Sequence, residues 1–589
     1  MKHWVLEMKN KTAYEPIINE IRVESENLLQ EGLQEELTYS LFQLFEQTGS
    51  RQEYEKAYFR KRRRLNTFAI MLLLEPDENQ YLVELENIIW SICNEYTWCL
   101  PAHLQNSAET TIQEKYTING PQRKKYTIDL FSAETAFSLS EIYMLTKDYL
   151  SPLIGRRICE EVYNRIFFPF LTGNFKWETE THNWASVCAG SIGAAALHLI
   201  EDRKELATII QKVLPVMDSY LKGIDEDGIC MEGYSYWQYG FGFYVYFADL
   251  LKKKTEGKVD LFHNKKVHQL ALFQQRCFMA EDLVVNFSDS PKTSKVYIGM
   301  SHYLANCYPD VHVPAMKLRS SYTDDPCSRW APSVRSLLWF DETLQATNWK
   351  EEAFISESAQ WLVSRYHSKK GSFSFAAKGG HNDEPHNHND LGHFILQGGK
   401  EVFLKDLGSG LYTKDYFNKN RYSYLCNSSK GHSVPILNGQ FQQEGKAYHA
   451  EILYSNMEGN VEILELDLTK AYGLQSLESY QRKFEWIKGN YAKLIMTDTF
   501  CFTQKPDSVV ERFILPDIPI KQHLEGVSIE GYRLGLDLLF DTTIMKMNSK
   551  KTYFINHNNE REKVIILDLA VCKPIKESKL QIEFQFKKL

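Results

Sequence analysis

The chain has 589 residues, too many for one hydrophobic core, so two large domains are expected. With 43% hydrophobic and 13% aromatic residues it has the composition of a globular protein, and disorder is excluded as its general state. A formal net charge of −8 argues against general nucleic-acid binding, although a local basic cleft can still receive a polyanion.

The first eight residues, Met1 to Met8, are interrupted by charge and lack the apolar centre of a secretory signal. No run approaches the roughly 20 apolar residues of a membrane span. The eleven cysteines are odd in number, scattered, and contain no CxxC pair. They read as reduced core thiols and imply a cytoplasmic protein, or a periplasmic or secreted one if a leader has been removed.

From about residue 12 to 340 apolar residues recur at helical spacing, as in 33–48, 54–74, 81–96, 132–146 and 156–171. There is no exact short repeat, but the rhythm of paired helices predicts an α-solenoid or toroid. The basic run Arg60-Lys61-Arg62-Arg63-Arg64 falls inside one helix. It reads first as a solvated, ion-paired face and second as an attractor of an anionic chain. Trp98 and His103 flank Pro101 at a break between helices, which suits either a pocket rim or a loop packed down by the tryptophan.

His182-Asn183-Trp184 opens a helix whose continuation is small and apolar. A helix N-terminus favours an anion, and the Asn183 amide could help hold a carboxylate; the alternative is that Asn183 simply caps the helix. Glu232 to Phe243 is a second aromatic helix opening, with Tyr234, Tyr236, Trp237 and Tyr239 suited to a sugar-binding rim. A phenol there can act as acid, or as base if nearby cations lower its pKa. Core packing competes with that role for each tyrosine, and at least one should belong to the core.

After about residue 350 short alternating or β-branched runs take over: 361–367, 372–377, 394–397, 401–404, 461–466, 480–486, 492–500, 508–513 and 563–567. They predict an antiparallel β-sandwich. The expected division is therefore 1–350 helical and 351–589 β.

The densest polar stretch is His381 to Phe394, with four histidines, three acids and three asparagines in fourteen positions. In a strand, His386, His388 and Asp390 would share one face. Such a face suits proton transfer, a metal or an anion. Downstream, Asp406 ends one strand and His432 opens another segment. Together with a histidine upstream they make a candidate N/O site for zinc or a similar cation.

In this order, Trp98–His103, Ile128–Phe131, His182–Trp184, Glu232–Gly240, His386-x-His388-x-Asp390, Asp406-x-Gly408 and Ser429–His432 resemble the heparinase II/III-like polysaccharide lyases. The resemblance runs from about residue 50 to the middle of the β domain. It implies an N-terminal (α/α) toroid joined to a C-terminal antiparallel β-sandwich. It also implies β-elimination from a uronic acid within an anionic polysaccharide. That reaction needs a group to neutralise the carboxylate, a base for the C5 proton and an acid for the departing oxygen. By resemblance Asn183, with His182, neutralises the carboxylate. Tyr236 is the acid and a candidate base, and His386 is the base for the other epimer. Tyr234 and Tyr239 are alternatives for the tyrosine. Trp184, Tyr234, Tyr239, His103, Arg421 and Gln440 are implied substrate contacts. His388, Asp406 and His432 are implied ligands of a structural divalent metal, zinc by analogy, with no organic cofactor. Glycosaminoglycans are the first substrate class and alginate or another polyuronate the second; a homo-oligomer is compatible with all of this.

Three other readings compete. A glycoside hydrolase on the same helical toroid needs two carboxylates, for which Glu134, Glu232 and Asp129 could be nominated. A hydrolase could use His386, His388 and Asp406 around a water-activating zinc. A glycan-binding protein would need no chemistry at all.

Overall fold

The computed structural model describes residues 8–9, 11–32, 36–104, 126–413 and 415–589. The chain forms two compact units. The first comprises Met1–Ile224, Trp237–His268 and Val296–Ala346; the second comprises Asp225–Tyr236, Gln269–Lys295 and Thr347–Leu589. A division at residue 350 leaves two stretches of the second unit on the helical side.

The first unit is helical, as its periodicity predicts. Helices Gln52–Leu74 and Asn79–Cys93 pack together, and Asn183–Leu199 packs against both Leu130–Thr146 and Arg203–Lys222. The small residues of Asn183–Leu199 have a steric cause. A Cβ on Gly190 would lie 2.9 Å from the Phe243 carbonyl oxygen, and one on Gly193 would lie 2.4 Å from the Phe247 ring. The helix is buried along nearly its whole length because its neighbours come this close. The predicted helix at 156–171 is less regular: Pro152–Val162 passes into a π-turn, Tyr163–Phe167, before Phe168–Thr172.

The basic run of the Gln52–Leu74 helix spends its charge internally. Arg62 makes a two-pronged pair with Glu95 at 2.7 and 2.8 Å, and Lys61 reaches the same carboxylate at 2.9 Å. Arg64 pairs with Glu84, Arg60 with Glu24 and Glu31, and Arg63 bonds to the carbonyls of Thr323, Asp325 and Pro326. The expectation of a solvated face is corrected: Lys61, Arg62 and Arg64 are buried, and the ion pairing that was expected of one or two residues extends to the whole run.

The second unit carries the antiparallel sheets expected. A five-stranded sheet runs in chain order through Glu352–Ser356, Trp361–Ser368, Gly371–Lys378, Phe394–Gly398 and Glu401–Leu404. An eight-stranded sheet is ordered Glu451–Asn456, Val461–Asp467, Leu477–Ile487, Lys493–Phe502, Glu577–Lys588, Leu534–Phe540, Gly526–Glu530 and Ile520–His523. A four-stranded sheet joins Met545–Ile555, Arg561–Val571, Val509–Pro516 and Ile436–Leu437. Their inner faces share one core, including Phe375, Phe394, Trp486, Phe513, Leu567 and Phe584. Each run predicted as strand is a strand. Other strands lay outside the predicted runs, among them Leu534–Phe540, Met545–Ile555 and Glu577–Lys588; in Met545–Ile555 most residues are exposed, so its alternation is weak. Among the described residues no helix is long and apolar enough to cross a membrane.

Candidate functional site

In the second unit the polar stretch His381–Phe394 is a strand only at His381–Asn382 and again from Phe394. Between them it turns. The Asn387 N–H bonds to the Glu384 carbonyl at 3.1 Å, closing a four-residue turn with Pro385 second and His386 third. His386 takes φ +56°. Proline at the second position and a left-handed third residue are the features of a type II turn, whose third position favours glycine or asparagine. The expectation that His386, His388 and Asp390 share a strand face is therefore corrected. The turn separates His386 from the other two.

Asp289 sits at the centre of the arrangement and is fully buried. One of its oxygens receives His386 Nδ1 at 2.8 Å and Arg421 Nη2 at 3.0 Å. The other receives His388 Nε2 at 3.0 Å and the Tyr416 hydroxyl at 2.5 Å. Four donors hold the carboxyl well below the ordinary carboxylate range, outweighing the desolvation that would raise it. Asp289 was missed in the sequence because nothing in Phe287-Ser288-Asp289-Ser290 marks it locally. Arg421, expected to touch substrate, is instead engaged with Asp289 and with the Asn387 carbonyl at 3.0 Å. Gln440 is exposed in a turn closed on Leu437, and its buried neighbour Gln442 holds Leu391 through both its oxygen and its nitrogen.

Tyr236, in the first turn of the helix Tyr234–Lys254, places its hydroxyl 2.8 Å from the Tyr412 hydroxyl and 3.4 Å from His386 Nδ1. The Tyr236 and His386 rings lie 4.5 Å apart. Burial pushes the Tyr236 phenol well above its ordinary pKa, and the charges of Asp289 and Glu232 push it the same way. Arg421 acts the other way, as a nearby cation would, but its effect is the smaller one, so the balance favours the protonated hydroxyl. His386 Nε2 faces Glu232 at 3.6 Å. A cavity of 470 Å³ opens beside Tyr236, lined also by Asp289, Lys292, Lys405, Tyr412 and His557. Tyr234 is fully buried and donates its hydroxyl to Gln274 at 3.0 Å, so it belongs to the core and not to a substrate rim.

Next to Asp289 lies a buried group of ligand type: His388, Asp390, Asp406 and His432, each offering an atom within 4.8 Å of the others. His388 Nδ1, Asp390 Oδ2 and His432 Nε2 have no hydrogen-bond partner among the described residues, and Asp406 Oδ2 lies 3.6 Å from His432 Nε2. The opposite nitrogen of each imidazole is already committed. His388 Nε2 donates to Asp289, and His432 Nδ1 donates to the Ser428 carbonyl at 2.9 Å. Burial lowers the His432 pKa to about 4, which keeps the ring neutral as a ligand must be. Asp406 Oδ1 is taken by the Gly408 N–H at 2.7 Å, leaving Oδ2. The Lys378 ammonium, also fully buried, sits 2.9 Å from Asp390 Oδ1 and 3.4 Å from Glu384. Two imidazoles and two carboxylates whose ligand-type atoms gather in a buried pocket fit a borderline divalent cation such as zinc. Asp390 joins the three ligands implied by resemblance. His393 is excluded by its tautomer: Nδ1 accepts the Ser433 N–H at 2.9 Å, so Nε2 carries a proton toward Asp406 at 3.2 Å.

The first unit holds the other expected residues. His182, not Asn183, caps the helix Asn183–Leu199, accepting the Trp184 N–H at 3.4 Å while its Nε2 meets Glu180 at 3.1 Å. Asn183 is thereby the first helical residue, buried, with no hydrogen-bond partner for its amide among the described residues. His103 is oriented by the buried Asp129, 2.7 Å from Nδ1, and its ring lies 4.9 Å from that of Trp184. Trp98 is buried and bonded to the Ile92 carbonyl, so it packs the loop down, whereas His103 is the residue a rim would use. Tyr239 donates to Glu134, which Arg329 also holds at 2.9 Å.

Comparison with solved structures gives the fold a name. A heparinase III superposes with TM-score 0.63 at 12% identity, over 93% of this chain and 80% of that one. Heparan sulfate lyase HepC from Pedobacter heparinus gives 0.62 at 14% identity, over 90% and 77%. The Streptomyces coelicolor A3 chondroitin AC lyase in complex with chondroitin sulphate gives 0.54 at 11% identity, over 99% and 82%. The protein has a heparinase-like polysaccharide lyase fold: a helical N-terminal part followed by antiparallel sheets. No protein-family model and no curated protein matches the sequence.

Proposed function

We propose that the protein is a polysaccharide lyase that cleaves a uronic-acid-containing glycosaminoglycan by β-elimination, leaving a 4,5-unsaturated uronate end. The observation that carries the reading is the Tyr236–His386–Asp289 constellation beside a sugar-sized cavity. Asp289 fixes the Nδ1–H tautomer of His386, which leaves the Nε2 lone pair to remove the C5 proton. Tyr236, kept protonated by burial, gives its proton to the departing glycosidic oxygen. Tyr412, 2.8 Å away, is placed to take up the hydrogen-bonding vacancy that this leaves. Asn183, with an amide uncommitted at a helix N-terminus, is assigned to the substrate carboxylate. His103, Trp184 and Tyr239 are assigned to sugar contacts.

His388, Asp390, Asp406 and His432 would hold a divalent ion, whose positive charge would bind together the segments that carry them. Every ligand is fully buried, which favours a structural ion over one that activates water. The lyase and hydrolase readings differ in their products. Incubation with heparan sulfate, chondroitin sulfate, hyaluronan and alginate oligosaccharides should raise the ultraviolet absorbance of a conjugated C4–C5 double bond. Tyr236→Phe should lose that signal. New reducing ends without the absorbance would overturn elimination.

A further inference from the structure

Arg482 lies in the strand Leu477–Ile487 with its side chain wholly buried. Its guanidinium has five N–H donors, and all five are used. Nε and one Nη2 donor go to Asp498, at 2.8 and 2.5 Å, and the other Nη2 donor goes to Glu511 at 3.0 Å. The two Nη1 donors go to main-chain carbonyls, Gly392 and Ser433, each at 2.9 Å. Gly392 stands two residues after Asp390, and Ser433 is the residue after His432. One planar group therefore ties together the two segments that supply those candidate ligands.

A buried ion pair is a poor reason in itself for keeping an arginine here. Replacing such pairs by apolar side chains is often neutral or stabilising, whereas they are well attested as devices that fix register. The energetic setting agrees. Glu511 is desolvated beside Asp498, and both effects push its carboxyl well above the ordinary range. What remains unexplained by charge is the direction of Nη1. The carbonyls it bridges belong to chain segments 41 positions apart, and no strand ladder joins them there.

We propose that Arg482 is a positioning residue for the metal centre: its Nη1 fork sets the separation of the Asp390 and His432 segments at the spacing the ion requires. This rests on the metal reading given above. A lysine keeps the charge but has a point-like ammonium that cannot span two carbonyls while holding Asp498 in two places.

The test is zinc binding by chelator competition on wild type, Arg482→Lys and Glu511→Gln, with far-ultraviolet circular dichroism to establish that each is folded. The visible ligand-field absorption of the cobalt-loaded forms reports the geometry. Arg482→Lys should bind zinc about 10–100-fold more weakly and show altered cobalt bands, while Glu511→Gln, which leaves the fork untouched, stays within twofold of wild type. Equal zinc affinity and spectra in wild type and Arg482→Lys overturn the proposal. If Arg482→Lys does not fold, the double variant Arg482→Met with Asp498→Asn, which removes the guanidinium together with the carboxylate that holds it twice, is measured in the same way. Should that also fail to fold, Arg482 is holding the sheets and not the centre, and the proposal falls. A wild type that binds no zinc is a different outcome, since it removes the metal reading itself.

Discussion

His386 holds a left-handed backbone, with φ +56°, that costs an L-residue about 1 kcal/mol or more relative to glycine. That strain is retained at the residue assigned to proton abstraction, and it gives a clean comparison. His386→Gly and His386→Ala both remove the imidazole, so both should lack activity, yet the glycine form should be the more stable by about 1 kcal/mol in denaturant unfolding. Equal stability would mean that the turn imposes no strain. Asp289→Asn keeps the shape but presents an amide N–H to donors, and it should lower activity or zinc affinity about 10–100-fold. His302, away from the metal cluster, offers a pH prediction. Burial depresses its pKa to about 4, and Nδ1 accepts the Asp341 N–H at 2.9 Å. Between about 6.5 and that value the unfolded chain binds the proton and the native one does not, so stability falls as pH drops through this window. His302→Asn should flatten that part of the stability–pH curve. Much of this chemistry was legible as density: seven titratable residues within His381–Phe394 advertise a site. Asp289 was not, because its importance arises from four donors brought from distant segments. Arg482 did leave a trace. Tyr480, Arg482, Phe484 and Trp486 alternate toward the core, and an arginine in that series is out of place on an inward face.

The Asn183–Leu199 helix shows how close packing overrides propensity. Alanine is a better helix former than glycine by about 1 kcal/mol, so Gly190→Ala looks stabilising from the sequence. The added methyl would sit 2.9 Å from the Phe243 carbonyl oxygen, inside a contact that backbone cannot relieve cheaply. Gly190→Ala should therefore destabilise by about 1–3 kcal/mol, measured by chemical unfolding. Helices and inward-facing strands were legible because apolar period survives in them. The His386 turn was not, since a run of polar residues carries no period and a strand face was expected where Pro385 sets a turn. The cap of Asn183–Leu199 was misplaced by one residue for a related reason: asparagine is the commoner cap, but here the histidine ring accepts the N–H and Asn183 is released.

Across the whole molecule, zinc present at a hundredfold excess over its Kd should stabilise the folded chain by about 2.7 kcal/mol, and a chelator should reverse the gain. An unfolding temperature indifferent to both would contradict a bound structural ion. The order of the chain adds a separate constraint. Tyr236 and Asp289 are encoded among the helices, in Asp225–Tyr236 and Gln269–Lys295, yet both belong to the unit built mainly from Thr347–Leu589. The main chain passes between the two units five times, after residues 224, 236, 268, 295 and 346. A fragment spanning 351–589 should accordingly expose apolar surface and fail to fold cooperatively. The lineage of such a protein is constrained in the same way. A recombination event with one breakpoint cannot transfer the second unit whole, because its segments are interleaved with those of the first along the chain.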